Sequence, residues 1–358
     1  MSTAMPNLFE PLRLRGVTFR SRIFVSPMCM YSAEDGVPND WHLVHLGSRA
    51  VGGAALVIAE ATGVSPEGRI SPGDTGLWNG AQVDAFRRIT AFVSAHGSVP
   101  GLQLAHAGRK ASTHVPWKGG RALSAAEGAW TTLAPSAVPF DDGYSTPREM
   151  TLSDMDRVTA EFAAAARRAV EAGFEVVEVH AAHGYLLHEF LSPLSNRRTD
   201  SFGGPLENRM RFPLRVAGAA REAFPADRPV FVRISATDWA DGGWDLAQST
   251  VFAHRLRELG VDLVDCSSGG LVPYAKVAVG PGYQVPFAEA IRRDAGIPTA
   301  AVGMITEPAQ AEEILATGKA DAILMARAFL RDPYWPLHAA KALGVDLEWP
   351  AQYRRAKT

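Results

Sequence analysis

Eight short apolar runs alternate with amphipathic stretches after residue 20, and this alternation constrains the fold more than any other feature. Each run has the length of a strand and is apolar at most positions, which is typical of parallel strands covered on both faces. The runs lie at residues 23–28, 54–61, 99–107, 174–181, 229–235, 261–268, 297–304 and 320–327. Strict alternation of strand and helix predicts a parallel sheet, and eight units without a break in composition favour a closed (β/α)8 TIM barrel.

The main alternative to a barrel is an open, doubly wound α/β sheet. That fold carries a glycine-rich G-x-G-x-x-G turn after its first strand, where it binds a dinucleotide. Here the first apolar run leads into Pro27-Met28-Cys29-Met30-Tyr31, which contains no glycine. The barrel is therefore the preferred prediction.

Two of the intervening helices have clear ends and faces. In the helix predicted over 153–173, Ser153 is the expected N-cap, with Asp156 three residues on, and Gly173 is the expected stop. A second helix over 246–260 is expected to bury Phe252, Leu256 and Leu259.

Two segments depart from the simple alternation. Residues 8–22, before the first strand, resemble a hairpin that would plug the bottom of the barrel. Residues 109–150 form a long stretch rich in Gly, Pro and Trp between the third strand and its helix, and loops of this length are usually functional or disordered. We predict a single domain over residues 1–358.

Composition excludes several classes of function. The formal net charge of −2 gives no basic bias that would favour nucleic acid, and two cysteines are too few for a disulfide framework. The N-terminus lacks the apolar core of a signal peptide, and no apolar run approaches the roughly 20 residues that span a bilayer. These features predict a soluble, cytoplasmic protein without a nucleic-acid or membrane partner.

Unusual polar residues gather near the carboxyl ends of the predicted strands, where barrel enzymes place their chemistry. They are Gln103, His180, His183, Arg233, Gly303, Arg327 and, after the first strand, Cys29 and Tyr31, which share a face if the extended period holds. For Gln103 or Arg233 alone, a satisfied polar layer inside the barrel is the simpler interpretation, and for Cys29 a small buried hydrophobe. Together they favour a site at this end.

The ends of the seventh and eighth strands are the usual phosphate site of this fold. Gly303 permits close approach of the backbone, a helix is expected to begin just behind it, and Arg327 can clamp a phosphate. This pattern suggests a phosphorylated ligand or cofactor.

The stretch His180-Ala181-Ala182-His183-Gly184-Tyr185-Leu186-Leu187-His188-Glu189-Phe190 concentrates potential catalytic groups. A metal site normally needs three or four converging ligands, often with an HExxH helix, which is absent here. Proton transfer and stabilisation of a developing oxyanion fit better. His188 and Glu189 are expected in the following loop, in a structural role, and residues 195–209 in an ion-paired turn that shapes the mouth.

The chain resembles the Old Yellow Enzyme family of FMN-dependent ene-reductases, in particular its bacterial xenobiotic-reductase-like branch. The matching pieces, in family order from about residue 8 to the C-terminus, are SPMCMYSAEDG, NDWHLVHLGSRAVGGAALVIAEATGVSPEGRIS, PGLQLAHAGRKAS, VEVHAAHGYLLHEFLSPLSNRRTDSFGG, ENRMRF and MARAFLRDP. The resemblance implies FMN at the barrel mouth and NADPH or NADH as electron donor. It also implies an NADPH dehydrogenase or 2-enoate reductase activity.

Site residues follow from the resemblance by position. The flavin ring and ribityl chain would contact Ser26, Pro27, Met28, Cys29, Ala61, Gln103 and Arg233, and the phosphate Gly303, Ala326 and Arg327. His180 and His183 would bind the substrate carbonyl, Tyr185 would donate the proton, and Tyr31 would line the pocket. The expected reaction is reduction of the C=C bond of an α,β-unsaturated carbonyl or a nitro compound, by ping-pong hydride transfer from flavin N5.

Some positions depart from the family or stay open. Val302 stands where close relatives often have an aromatic residue, which predicts a wider substrate pocket. Tyr353 and Arg355 are expected to reach a neighbouring subunit's site in a homodimer or homotetramer. Arg109 and Lys110 would meet the phosphates of the nicotinamide cofactor or lie in a solvated loop.

Three other functions compete with the flavin reductase. They are a metal-dependent barrel lyase or hydrolase that uses His180 and His183, a flavin enzyme acting on tRNA, and a non-catalytic binding barrel. The net charge of −2 argues against the tRNA enzyme. A binding barrel leaves the grouping of Tyr185 with the histidines without a purpose.

Overall fold

The computed structural model describes residues 5–357, and eight parallel strands form a closed barrel within them. In chain order the barrel strands are β1 (Ile23–Val25), β2 (Leu56–Gly63), β3 (Val99–Ala105), β4 (Val176–Ala181), β5 (Val230–Ser235), β6 (Leu263–Ser267), β7 (Thr299–Ala301) and β8 (Ala322–Met325). Each strand pairs with its neighbours in sequence, and β8 closes on β1. The predicted TIM barrel is confirmed, with all eight strands inside or close to the predicted runs.

Helices surround the barrel. They are α1 (Asp40–Val51), α2 (Gly80–Ala95), α3 (Leu152–Glu171), α4 (Leu186–Leu191), α5 (Leu206–Ala223), α6 (Leu246–Glu258), α7 (Val285–Ala295), α8 (Pro308–Ala316), α9 (Arg327–Arg331) and α10 (Trp335–Ala342). Within the described residues, no helix is both long and apolar enough to cross a membrane.

The ends of two helices differ from the sequence prediction. Helix α3 begins one residue before Ser153, and its N-cap is Thr151, whose side chain accepts from the N–H of Asp154 while that carboxylate binds back to the cap. In this capping box Asp154 takes the place predicted for Asp156. In α6 the side chain of Phe252 is buried as expected, but Leu259 is the C-cap and is 39% exposed.

The predicted N-terminal hairpin is present and closes the bottom of the barrel. Its strands, Leu12–Leu14 and Val17–Phe19, pair antiparallel. The Phe19 ring lies 4.9 Å from that of Phe24 in β1 and 6.4 Å from that of Phe231 in β5, measured between centroids. Burying such large apolar rings inside the barrel supplies much of its stability.

The long segment after β3 is tied to the barrel mouth. It contains short 3-10 turns and a two-residue pairing of Leu133–Ala134 with Arg148–Glu149. The indole N–H of Trp130 donates to Glu67 O at 3.0 Å. Arg198, in the segment predicted as an ion-paired turn, pairs with Asp200 and Glu149 and donates to Met150 O at 2.8 Å. The two loops therefore brace each other at one side of the mouth.

Candidate active site

The histidine-rich stretch occupies the turn that follows β4. His180 is the penultimate residue of that strand, and the chain then reverses through His183 and Gly184, whose φ angles of 59° and 73° are left-handed. A Cβ at position 184 would lie 2.3 Å from the carbonyl oxygen of Gly270, so only glycine fits there. The turn is packed against the loop after β6, and this contact holds His183 in a strained conformation.

Three aromatic side chains converge at this turn. The ring centroids of His180 and His183 are 5.1 Å apart with the rings nearly perpendicular, and those of His180 and Tyr185 are 4.9 Å apart. Burial, and then the nearby positive charge of Arg233, holds the pKa of both histidines well below the usual range. Burial also raises the pKa of Tyr185 well above its usual value. At pH 7 the cluster therefore consists of two neutral imidazoles and a neutral phenol.

Backbone and hydroxyl groups define how the imidazoles can act. The N–H of Ala182 donates to His180 Nδ1 at 3.3 Å, so the proton of this neutral ring is on Nε2. His183 Nε2 lies 2.7 Å from Ser267 Oγ, and the backbone N–H of His183 donates to Ser235 Oγ at 2.9 Å. Ser267 is a residue of the cluster that the sequence analysis missed, because a serine at a strand end carries no distinctive signal.

Lys110 lies directly beneath the turn. Its ammonium donates to the carbonyl oxygens of His183 and Gly270, both at 2.9 Å. The same nitrogen is 4.3 Å from the ring centroid of Phe140 and 5.3 Å from that of Tyr185. Burial, and then the charge of Arg109, lowers the pKa of Lys110 to about 8. The side chain thus links the loops after β3, β4 and β6.

The solvated-loop interpretation of Arg109 and Lys110 is wrong. Arg109 is 2% exposed, and its guanidinium donates to Leu271 O at 2.7 Å. Its backbone N–H donates to the carboxylate of Glu189 at 2.8 Å. Both residues are engaged with the protein interior rather than with solvent.

His188 and Glu189 lie in the short helix α4 and not in a loop, which corrects the sequence prediction. Both are fully buried. His188 Nδ1 accepts from the N–H of Gly184 at 3.0 Å, and its Nε2 lies 2.9 Å from a carboxylate oxygen of Asp238. These contacts hold the backbone of the turn after β4, in line with the structural role expected for the two residues.

A buried polar layer crosses the barrel just below the turn. Gln103 in β3 pairs in register with Glu178 in β4, and Arg233 in β5 pairs with Asp265 in β6. Gln103 Nε2 donates to Glu178 Oε1 at 2.8 Å, and Arg233 Nε lies 3.0 Å from Asp265 Oδ2. The sequence analysis found Gln103 and Arg233 but missed the two carboxyl groups. The sequence does contain a signal for both carboxyl groups, because each charged residue interrupts an otherwise apolar strand and so needs a buried partner.

The residues after β1 line the opposite side of the mouth. Ser26 is buried, and its N–H donates to Met325 O at 3.0 Å. Tyr31 has a left-handed φ of 49°, so the extended period assumed for Cys29 and Tyr31 does not continue to it. Burial raises the pKa of the Cys29 thiol well above its usual value, so this group stays protonated.

Ala61 and Tyr31 complete this side of the mouth. Ala61 follows a bulge in β2 and pairs in register with Gln103 of β3. The Tyr31 ring meets that of Trp117 edge-on, with centroids 5.8 Å apart. Glu60, at the bulge, accepts from the N–H of Met30 at 2.7 Å and so fixes the segment after β1.

A cavity of about 250 Å³ opens beside this cluster at the ends of β6, β7 and β8. Its lining includes Ser267, Gln284, Val302, Gly303, Ala326, Arg327 and Arg331. Gly303 lies two residues beyond β7 and Arg327 begins α9, so neither ends a strand as expected from the sequence. The helix expected just behind Gly303 begins only at Pro308.

Close packing defines the shape of this cavity. Gly303 has a φ of 120°, and a Cβ there would lie 2.8 Å from Gln284 Nε2. Gln284 Nε2 in turn donates to Val302 O at 3.0 Å. Val302 and Ser267 both line the cavity, and Ser267 also contacts His183.

The residues at the mouth fit the FMN that the resemblance implies. Within residues 5–357, the terminal nitrogens of Arg233 donate no hydrogen bond and Gln103 Oε1 accepts none, although both side chains are buried. Such a donor and acceptor suit the polar edge of a flavin ring. The adjoining cavity, lined by Arg327 and Arg331, suits a phosphate. The chemistry of the donor set and the space beside it therefore agree with this cofactor.

Two predicted site residues are not brought to this cluster. Tyr353 lies in the turn Ala351–Ala356, where its ring meets that of Tyr334 with centroids 5.8 Å apart. Arg355 is exposed in the same turn. Within residues 5–357, no group of three or more His, Cys, Asp or Glu side chains is arranged to hold a metal ion.

Comparisons with known proteins agree on one family. Residues 7–345 match the sequence profile of the NADH:flavin oxidoreductase / NADH oxidase family. The chain is 50% identical over 350 residues to an NADPH dehydrogenase of Geobacillus thermodenitrificans, covering 97% of this chain and 98% of that protein.

Solved structures show the same likeness. An old yellow enzyme homologue from Zymomonas mobilis superposes with a TM-score of 0.79 at 29% identity, covering 96% of this chain and 94% of that one. Morphinone reductase in complex with tetrahydroNAD superposes with a TM-score of 0.77 at 30% identity, covering 97% and 93%. The chain therefore belongs to the NADH:flavin oxidoreductase / NADH oxidase family and is an FMN-dependent oxidoreductase of the Old Yellow Enzyme type that takes electrons from a reduced nicotinamide dinucleotide.

Proposed function

We propose that this oxidoreductase reduces the C=C bond of α,β-unsaturated carbonyl compounds, and of nitroalkenes as a second substrate class. The observation that carries the proposal is the convergence of two neutral imidazoles and a neutral phenol at the barrel mouth, where the centroid of the His180 ring lies 5.1 Å from that of His183 and 4.9 Å from that of Tyr185. FMN, when bound, supplies hydride in a ping-pong cycle, accepting it from NADPH or NADH and giving it to the substrate in a separate half-reaction.

His180 and His183 bind the substrate oxygen. Negative charge builds on that oxygen as hydride reaches the β-carbon, and N–H donors held in a buried site stabilise it without reorganisation. His180 offers Nε2–H because its Nδ1 accepts from the backbone. At His183 a substrate oxygen competes with the hydroxyl of Ser267, which lies 2.7 Å from Nε2. Neutral rings donate here without adding a charge to the resting site.

Tyr185 donates the proton that the α-carbon receives. Its raised pKa keeps the phenol protonated at neutral pH. The ammonium of Lys110, 5.3 Å from the centre of the tyrosine ring, stabilises the phenolate that remains until solvent returns the proton. Hydride and proton together account for the two hydrogens added across the double bond.

The flavin is proposed to rest against Ser26, Pro27, Met28, Cys29, Ala61, Gln103 and Arg233, with Gly303, Ala326 and Arg327 at its phosphate. Tyr31 and Val302 are assigned to the substrate pocket. Support comes from the free hydrogen-bonding groups of Gln103 and Arg233 and from the cavity beside Gly303 and Arg327. Residues 1–358 are proposed to act as one FMN-binding domain.

Anaerobic stopped-flow measurement of Tyr185→Phe tests the proposal. Loss of the proton donor is expected to slow alkene reduction by about a hundredfold or more with a small cyclic enone, while flavin reduction by NADPH keeps its rate. Tyr274→Phe is the matched control, because this tyrosine is 65% exposed and outside the cluster. Alkene reduction by Tyr185→Phe at the wild-type rate contradicts the assignment.

We also propose a homodimer or homotetramer in which Tyr353 and Arg355 reach a neighbouring subunit's site. Support comes from the exposed position of both residues in the C-terminal turn, away from the cluster of their own chain. Deletion of residues 353–358 is expected to lower the oligomeric mass and to alter kinetics. Unchanged mass by light scattering together with unchanged kinetics overturns this arrangement.

A further inference from the structure

Two carboxyl groups inside the barrel, those of Glu178 and Asp265, have no role in the function proposed above. Both are fully buried. They lie on β4 and β6, on either side of the strand that carries Arg233, which supplies the cation of this layer. Arg233 Nε lies 3.0 Å from Asp265 Oδ2, so this cation is paired with Asp265. Within residues 5–357, no Lys, Arg or His side chain forms an ion pair with Glu178.

The contacts of Glu178 leave one of its two carboxyl oxygens unpaired. Its Oε1 accepts from Gln103 Nε2 at 2.8 Å, whereas among residues 5–357 its buried Oε2 and the buried Oδ1 of Asp265 have no hydrogen-bond partner. Ionised carboxylates are acceptors only, so the two groups can satisfy each other only if one of them carries a proton. A second uncompensated negative charge at this depth would also be costly.

We propose that Glu178 carries a proton that it donates to Asp265, and that this arrangement fixes Gln103 with its amide nitrogen towards Glu178 and its carbonyl oxygen towards the mouth. Glu178 and Asp265 are then positioning residues for the edge formed by Gln103 and Arg233. The inference rests on the proposed contact of that edge with the flavin ring.

The position of the proton on Glu178 determines which groups of this edge donate hydrogen bonds and which accept them. With the proton on the oxygen that faces Asp265, the other oxygen of Glu178 must accept, and Gln103 must turn its amide nitrogen to it. The edge then offers an acceptor from Gln103 beside donors from Arg233. This pattern complements the imide of an isoalloxazine ring, in which an N–H stands between two carbonyl oxygens. With the amide reversed, Gln103 would also present a donor, and the edge would offer no acceptor to that N–H.

The electrostatic surroundings of Glu178 support retention of this proton. Burial, and then the charge of Asp265, raises the pKa of Glu178 to about 8, while Arg233 acts in the opposite direction. His180, the next residue on the same side of β4, is kept neutral by burial. The carboxyl group therefore stays protonated below pH 8 and ionises as the pH rises through about 8. Ionisation would place a second negative charge beneath an anionic cofactor.

Two variants test the role of Glu178 through the affinity for FMN, measured by fluorescence quenching from pH 6 to 9. Glu178→Gln accepts from Gln103 and donates to Asp265 as the protonated acid does, so its affinity is expected to stay near that of wild type. Glu178→Leu leaves both neighbours unpaired, and its affinity for FMN is expected to fall about tenfold. Wild-type affinity should weaken above pH 8, whereas that of Glu178→Gln should show no such step.

Infrared spectroscopy of the holoenzyme reads the proton directly. The wild-type minus Glu178→Gln difference spectrum is expected to contain the carbonyl band of a protonated carboxylic acid. The subtraction is needed because burial raises the pKa of Glu189 to about 8 as well. Absence of the band, or loss of FMN affinity in Glu178→Gln equal to that in Glu178→Leu, overturns the inference. A Gln103→Leu variant with wild-type FMN affinity instead overturns the proposed flavin contact, and the infrared band separates the two failures.

Discussion

The two ends of the barrel are formed by the same strands but carry different kinds of side chain. At the lower end, Phe24, Phe231 and the hairpin residue Phe19 pack ring against ring. At the upper end, His180 and Arg233 occupy the same inward-facing sides of β4 and β5 and pair in register. Phe231 and Arg233 are only two residues apart on one strand. Since side chains alternate at period two, Arg233 is the next inward-facing residue after Phe231. The barrel interior therefore changes from packed aromatic rings to polar groups between these two positions.

This contrast predicts that substitutions at the upper end change rates and that substitutions at the lower end change stability. Core positions lose transfer free energy and gain a cavity when truncated. The donors proposed at the mouth would act on a charge that exists only during the reaction, so their loss should leave the stability of the resting fold unchanged.

The largest expected effect is that of His180→Ala combined with His183→Ala. Loss of both donors to the substrate oxygen should slow alkene reduction by at least about a hundredfold, because one such donor contributes about 3 kcal/mol. Flavin reduction by NADPH should change much less, and binding of phenol-type ligands should weaken. Anaerobic stopped-flow spectroscopy separates the two half-reactions. Equal effects on the two half-reactions would contradict the proposed contrast between the two ends of the barrel.

At the lower end, Phe231→Ala should destabilise the protein by about 3–5 kcal/mol, because a fully buried ring is replaced by a cavity. Urea denaturation followed by circular dichroism measures this change, and Phe231→Leu should lose less. Both half-reactions of the folded variant at 25 °C should keep their wild-type rates. A rate defect without a loss of stability would show that the lower layer also shapes the site.

Lys110→Met should slow alkene reduction by about tenfold, because the turn loses two charge-assisted hydrogen bonds to carbonyl oxygens. Lys110 is cationic below its pKa of about 8, so the wild-type rate should fall as the pH rises through that value. The variant should lack this step in its pH–rate profile. Lys118→Met, at an exposed lysine of the same loop, is the control and should keep both the rate and the step.

The smallest expected effect lies outside both ends, at the start of α3. Thr151→Ala removes the side chain that caps the helix and should cost about 1 kcal/mol of unfolding free energy. Ser153→Ala should be nearly neutral, because Ser153 lies inside the helix and its side chain is exposed. Thermal denaturation of the two variants compares them. A larger loss for Ser153→Ala would favour the cap predicted from the sequence.

Much of the site could be predicted because its residues interrupt regular patterns. Gln103 and Arg233 stand out in apolar strands, and the HAAHGY motif is specific to a family. Glu178 and Asp265 interrupt strands in the same way but were not predicted, because neither carboxyl group belongs to a motif that binds a ligand. Their importance comes from hydrogen bonds between neighbouring strands, which depend on the register.

Other errors came from local conformation. Cys29 and Tyr31 were expected to share a face if the extended period continued after the first strand, but the backbone of Tyr31 turns left-handed. A solvated loop was one of two interpretations of Arg109, but its guanidinium donates to a carbonyl oxygen 162 residues away in sequence. Neither the sharp turn nor the distant acceptor has a signature in the nearby sequence.

By itself the sequence determined the barrel, the plug beneath it and the family, because periodicity and motifs are properties of neighbours along the chain. Only the tertiary structure decided the contacts of Lys110 with the turn after β4, the partner of His183 and the pairing of Glu178 with Gln103. Each of these contacts joins strands or loops that are far apart in sequence. Closure of the barrel determines which of them meet and at what height.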